Sequence, residues 1–357
     1  MKVAVLQDYL RVGGTEHQTL WLAAKLRSET VDTHVVCFRP GGALAQAADL
    51  NGIKRHVLQP FDSYLNGWAP GLVPKLRALG VDCVIAMGRE ANATLPRLRA
   101  AFPGCRLIAT FRTGRAVPRR YRRGLHCADV ILANADWGRE RLLAMRLPQD
   151  KIAVVPNALL RAWDFDQVTS VREHMRATNG VQPGETVLLN VGAFRRSKGQ
   201  AEAIRVLQLL AQRPGWRAWF VGDGPRLASC RKRARQFGLE QRVVFHGYQA
   251  DPFPYYCAAD VVWHTSRSEA LPNALVEAQA VGRPWVAYAE AGVGECCLSG
   301  QTGWVVNPGD GEAMAAVLMR LMDDPDARKR AGRQAAHWAR ERFSPPAVLQ
   351  AIRQHLG

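Results

Sequence analysis

Along the first half of the chain, short apolar runs alternate with segments of helical period, the pattern of parallel-strand α/β units. The runs are KVAVLQ (2–7), THVVCF (33–38), KRHVLQ (54–59), CVIAMG (83–88), RLIATF (106–111), VILANA (130–135) and IAVVPN (152–157). TEHQTLWLAAKLR (15–27) and GRERLLAMRL (138–147) read as helices between them. A second series starts with TVLLNVGAF (186–194) and continues through RAWFVGDG, RVVFHGY, DVVWHTS, RPWVAYAE and GWVVNPG. Between the series, ALLRAWDFDQVTS (158–170) shows no strong period and is expected to be a hinge. Near the end, AAHWARERF closes a helix, SPP (344–346) breaks it, and AVLQAIRQHLG begins another. Two similar open α/β domains with a cleft between them follow, over residues 1–164 and 165–344. Ligands of such sheets bind beyond the carboxyl ends of the strands, so functional residues belong in the strand-to-helix loops.

Length and composition agree with this picture: 357 residues exceed one ordinary core, and 48% are hydrophobic. The opening apolar run stops at Asp8, too short for a signal peptide or a membrane span. Eight cysteines are scattered without a CxxC pair, and Cys296 and Cys297 lack histidines at metal-ligand spacing. A reduced, cytoplasmic context and no metal are expected. Net charge is +17, and residues 1–164 hold most of it, with 24 basic against 13 acidic side chains. Such an excess implies an anionic partner (nucleic acid, a membrane surface or a phosphorylated substrate), unless an arginine-rich proteome accounts for it.

Against this basic background, SRSEALPNALVEAQAVGRPWVA (266–287) places Glu269 and Glu277 eight positions apart. A buried strand over Asp260–Thr265 leads into the loop, and Pro272 suits the first turn of a helix. The free amides of Asn273, Ala274 and Leu275 would then form an anion site. Carboxylates only accept hydrogen bonds, which suits vicinal diols: one could serve a ribose and the other a hexose. The spacing alone fits a solvated pair of surface glutamates equally well. VGAFRRSKGQ (191–200) adds a cationic loop with Arg195, Arg196 and Lys198, suited to a diphosphate, though it lacks the P-loop order. FVGDGP (220–225) and VVFHGYQ (243–249) place Gly222 and Gly247 at strand ends, each a weak signal, and His246 receives no catalytic role.

The segment 243–287 resembles the signature region of glycosyltransferase family 4, the retaining, nucleotide-sugar-dependent enzymes of the GT-B fold. VGAFRRSKGQ, FVGDGP, CADVILANADWGRERL (127–142), KIAVVPNAL (151–159) and RVGGTEHQTLWLA (11–23) fall in the family's order, so the likeness covers nearly the whole chain. It implies two Rossmann-like domains with parallel sheets facing across a cleft, and a C-terminal helix over 345–357 crossing back to the first. It also implies a nucleotide-diphosphate sugar as co-substrate, with no further cofactor. By the likeness, Glu269 would bind the transferred sugar and Glu277 the ribose. The backbone at Leu271, Pro272, Asn273 and Ala274 would hold the diphosphate. Lys198, with Arg195 or Arg196, would neutralise the leaving group. Gly13 and Gly14 would approach the phosphates and sugar, Gly222 would lie at the donor, and Tyr248 near the base.

Two departures stand out: Ala193 occupies a position where many members carry arginine, and Arg112 stands where many carry histidine. Arg112 thereby joins Lys198 and Glu269 among the expected catalytic residues. The likeness implies front-face displacement, with placement and charge stabilisation as the protein's part. RTGRAVPRRYRRGLHCAD (112–129) carries Arg112, Arg115, Arg119, Arg120, Arg122 and Arg123 in the acceptor-side domain. It is expected to face a phosphorylated glycan, lipopolysaccharide or lipid-linked acceptor, or the inner face of an anionic membrane, unless it is only a solvated face. Two alternatives compete: an epimerase-like enzyme of the same fold, for which no acid–base pair is apparent, and a nucleic-acid binder, for which no recognition motif is present.

Overall fold

The computed structural model describes residues 1–50, 52–161 and 163–357. They form two compact units, Met1–Leu160 with Pro345–Gly357, and Arg161–Ser344. Among the described residues, the first unit holds β1 (Lys2–Gln7), β2 (Asp32–Cys37), β3 (Lys54–Val57), β4 (Cys83–Ala86), β5 (Arg106–Phe111), β6 (Val130–Ala133) and β7 (Ile152–Val154). They pair in parallel in the order β3-β2-β1-β4-β5-β6-β7. The central strands are apolar on both faces because helices cover both sides, whereas the edge strand β3 (KRHV) is polar and only partly buried. Val3 and Val5 join Val35, Ile85 and Ile108 in one cluster, while Ala4 and Leu6 join Val36, Val84 and Leu107 in the other. This is the two-residue alternation of a pleated strand. The helix Pro345–Arg353 adds Val348, Leu349 and Ile352 to the first cluster, so the end of the chain completes the core of its beginning.

The second unit holds β8 (Thr186–Val191), β9 (Trp216–Val221), β10 (Val243–Gly247), β11 (Val261–His264), β12 (Trp285–Tyr288) and β13 (Gly303–Val306) among its described residues. Their order is β10-β9-β8-β11-β12-β13, again parallel. The order reverses between β8 and β11, the place where open α/β sheets leave a crevice. The loops after these two strands carry Lys198 and Glu269. Both strands are fastened from behind: Asp260 accepts from Arg172 (2.6 Å), Arg176 (2.9 Å) and the Val187 amide (2.7 Å). Burial pushes the Asp260 carboxyl up, but these donors together with Arg328 outweigh it and hold the group below its ordinary value.

The supposed hinge is partly ordered. Phe165–Gln167 is a 3-10 turn capped by Asp164, whose carboxylate accepts from the Asp166 amide at 3.0 Å. A helix follows over Val168–Thr178, and Ala162 lies outside the described residues. That helix has no fully buried residue and is held by its arginines, which is why its apolar period is weak.

Candidate functional site

At the crevice of the second unit, two loops are laced together. Gly199 has φ +69°, and a Cβ there would lie 2.1 Å from the Thr265 carbonyl oxygen, so only glycine fits. In return, the Thr265 hydroxyl donates to the Gly199 carbonyl at 2.9 Å, and the Arg267 amide donates to that of Ser197 at 2.8 Å. Ser266 Oγ donates to Glu269 Oε1 at 2.7 Å and lies 3.0 Å from the Ser197 carbonyl. Across this lacing, the Lys198 ammonium is ion-paired with Glu269 Oε1. Burial pushes the Glu269 carboxyl up, but the charge of Lys198 leads a set of interactions that holds it below its ordinary value. His264, buried at the end of β11, is pushed down to about 4 by burial and then by Lys198, so it is neutral here.

Pro272 caps the helix Asn273–Ala280 with extended backbone (φ −75°, ψ 117°) instead of lying in its first turn. Its carbonyl accepts from the Leu275 amide at 3.1 Å, so Leu275 is not one of the free donors that the sequence suggests. Asn273 and Ala274 precede it as the first two residues of the helix. Glu277 is on the same helix, and its Oε2 accepts from the Tyr256 hydroxyl at 2.9 Å. Burial pushes the Glu277 carboxyl up to about 7, against the lowering effect of that hydrogen bond. Sequence reasoning missed Tyr256. In the apolar run FPYYCA nothing separates it from Tyr255; only the fold shows that its hydroxyl meets an acid.

Other expected donor residues fare differently. Tyr248 follows β10 with its side chain 47% exposed. Gly222 (φ +140°) would put a Cβ 2.1 Å from the Gly192 carbonyl oxygen, so its close approach is to the start of the cationic loop itself. Arg195 and Arg196 are exposed and line a cavity of about 210 Å³ with Gln200, Arg226, Cys230 and Arg233, while Lys198 engages Glu269. The structure thus does not gather the three cations of this loop at one point.

In the first unit, Gly13 precedes the helix Gly14–Ser28 in extended conformation, and a Cβ on it would meet the Glu16 carboxylate at 2.3 Å. Glu16 is nearly buried and lies 3.3 Å from Arg11 Nε. Arg112 follows β5, and its Nη1 donates to Asn157 Oδ1 at 2.5 Å, an oxygen that also accepts from Asn134 at 3.3 Å. Its Nε is buried with no partner, and burial pushes the guanidinium down to about 10, which leaves it charged at neutral pH. On the helix Arg119–Cys127, Tyr121, Gly124 and Leu125 turn inward while Arg119, Arg120, Arg122 and Arg123 are exposed, as is Arg115 before it. Gly124 permits this packing, since a Cβ there would lie 1.9 Å from the Asn92 carbonyl oxygen. Among the described residues, no helix is long and apolar enough to cross a membrane, and no three His, Cys, Asp or Glu side chains cluster as metal ligands.

Residues 12–159 match the family model described as Glycosyltransferase Family 4, and residues 171–338 that described as Glycosyl transferases group 1. The lipopolysaccharide core biosynthesis glycosyltransferase LpsE of Rhizobium meliloti is 31% identical over 281 residues, covering 77% of this chain and 75% of that protein. A GDP-mannose-dependent α-(1-6)-phosphatidylinositol monomannoside mannosyltransferase of Mycolicibacterium smegmatis is 33% identical over 225 residues, covering 59% and 58%. Among solved structures, Anabaena HepE in complex with UDP superposes with a TM-score of 0.84 at 22% identity, over 100% of this chain and 99% of that one. These likenesses lend no support to an epimerase or a nucleic-acid binder.

Proposed function

The chain belongs to glycosyltransferase family 4, with the paired parallel-sheet α/β units of the GT-B fold, and from that premise we propose how this glycosyltransferase works. Its donor is a nucleotide-diphosphate sugar, and its acceptor is a hydroxyl of a lipopolysaccharide, other cell-surface glycan or lipid-linked saccharide. The observation that carries the reading is the Lys198–Glu269 ion pair at the point where the second sheet reverses its strand order. A carboxylate held ionised beside a lysine offers two chemistries within one site. The lysine faces a diphosphate, and the acid accepts from sugar hydroxyls. Glu277 takes the ribose diol while Tyr256 orients its carboxylate. Leu271, Asn273 and Ala274 present backbone to the diphosphate, and Pro272, which has no N–H, fixes the turn.

In this reading transfer retains the anomeric configuration. The acceptor oxygen bonds to C1 on the face from which the phosphate oxygen departs. The C1–phosphate bond breaks, and the acceptor's proton passes to the departing oxygen. Lys198 balances the growing charge on the diphosphate, with no metal or further cofactor required of the reaction. By the family likeness, Gly13 and Gly14 serve the donor's phosphates and sugar, Arg112 the acceptor, and Tyr248 the base. The exposed arginines from Arg115 to Arg123 suit a phosphorylated acceptor or an anionic membrane on the cytoplasmic face, and the name of LpsE favours a lipopolysaccharide substrate. The test is a screen of UDP-, GDP-, ADP- and dTDP-sugars for nucleotide release, with and without membrane lipid as acceptor. The proposal fails if no nucleotide sugar binds by calorimetry and none is turned over.

A further inference from the structure

Four arginines, Arg195, Arg196, Arg226 and Arg233, are among the residues that line the one cavity of about 210 Å³ noted above. Arg226 and Arg233 are seven residues apart at the start of and along the helix Leu227–Gln236, with the buried Cys230 between them on the same face. Arg195 and Arg196 are brought alongside by backbone bonds. The Phe194 amide donates to the Asp223 carbonyl at 2.9 Å, and the Arg226 amide donates to the Phe194 carbonyl at 3.0 Å. Gly224 (φ +149°) makes that contact possible, because a Cβ there would lie 2.7 Å from the Phe194 carbonyl oxygen. These bonds fix the loop of Arg195 and Arg196 against the start of the helix that carries Arg233.

Among the described residues, none of these four guanidiniums has a carboxylate partner. In the same unit Arg172 and Arg176 pair with Asp260, Arg217 with Glu185 and Arg213 with Asp323, whereas Arg231, Arg235, Arg330 and Arg333 also have no carboxylate partner among the described residues; what sets the four apart is that they share one cavity. Four like charges around one cavity repel one another unless an anion enters. Arginine's planar fork matches phosphoryl oxygens in pairs, and it holds its charge at any working pH. The volume is far above the roughly 10–15 Å³ of such space that one water needs, so a small polyanion has room to enter.

We propose that this arginine-lined cavity is a binding site for an anion with two phosphoryl groups, separate from the site that contains Lys198, Glu269 and Glu277. Free pyrophosphate and a bisphosphorylated sugar share that chemistry. The proposal does not depend on the donor reading, and the experiment keeps the two apart. Calorimetric titrations with inorganic pyrophosphate and with glucose 1,6-bisphosphate are made at about 0.15 M salt, where weak surface attraction is screened. The protein is used alone and again with saturating nucleoside diphosphate. Wild-type protein is expected to bind at least one probe in both conditions. The double variant R226Q/R233Q is expected to lose tenfold or more in that affinity, with an unchanged circular dichroism spectrum and unchanged affinity for nucleoside diphosphate. Tighter binding of the sugar bisphosphate identifies a phosphorylated glycan as the source, and tighter pyrophosphate binding identifies a free diphosphate. Equal affinity of wild type and R226Q/R233Q, loss of all probe binding when nucleoside diphosphate is present, or no binding of either probe overturns the proposal. Failure of nucleoside diphosphate to bind counts against the donor reading alone.

Discussion

The hydroxyl of Tyr256 donates to Oε2 of Glu277 at 2.9 Å, so the acid assigned to the ribose is already half-engaged before any ligand arrives. That bond fixes the carboxylate's rotamer and leaves its other oxygen for a diol. Replacing Tyr256 by Phe removes a hydrogen bond to a charged group, worth about 1.5–3 kcal/mol. Nucleoside diphosphate affinity of Y256F is expected to fall about tenfold or more at pH 7. Calorimetry reads this directly, and an unchanged affinity would disconnect Glu277 from the donor.

Glu277 also sets a pH dependence. Its carboxyl is pushed up by burial to about 7 from an ordinary 4.5, and only the ionised form accepts two hydroxyls. Donor affinity is therefore expected to rise as pH passes through about 7, and to lose that step in E277Q. The sign for stability is opposite. Between pH 4.5 and 7 the folded protein holds a proton that the unfolded chain has released. The stabilisation from this group is complete below about 4.5 and gone once pH has risen through about 7. Thermal melts of wild type and E277Q across this range should converge at the acid end.

Lys198→Ala is expected to lower kcat by roughly 10²–10³, as for loss of one charge-stabilising donor. It also leaves Glu269 buried without its cation, and so raises that carboxyl. The variant's rate should then climb with pH where the wild-type rate is flat. Single-turnover nucleotide release measures both, and near-normal turnover of K198A would remove Lys198 from the mechanism.

Gly199 tests the lacing of the two loops. In G199A the added Cβ meets the Thr265 carbonyl at 2.1 Å in a left-handed conformation, so the segment after Lys198 must move. A displacement near 1 Å costs on the order of 10²-fold in rate. The expected outcome is a folded protein with kcat reduced by about that factor and a smaller change in KM.

Asp260 holds the second unit together. Removing it as D260A strands Arg172 and Arg176 and the Val187 amide, and breaking such a buried pair costs about 3–5 kcal/mol. Urea denaturation should show that loss, with the midpoint of the second unit shifted.

How far the sequence disclosed these features depends on the range of the interaction. The central strands were legible because both of their faces are buried, so their runs are mostly apolar. The crevice loops were legible as well, since a parallel sheet puts them at strand ends whatever their side chains do. Pairings across long separations were not. Lys198 and Glu269 read as two independent ligands of one substrate, yet they are 71 residues apart and bonded to each other. Arg195 and Arg196 read as partners of Lys198 because they are its neighbours along the chain; the backbone bonds of Phe194 direct them to Arg226 instead. Helix Val168–Thr178 escaped notice for a related reason: polar bonds to Asp260 hold it, and those leave no apolar period to read.

The return of residues 345–357 to the first unit gives biosynthesis an unusual order. The unit that holds Val3 and Val5 is completed only after the whole of the other has been made, because its cluster lacks Val348, Leu349 and Ile352 until residues 345–357 have been added. A premature stop codon shortly before Pro345 would therefore injure the amino-terminal half while sparing the one just made.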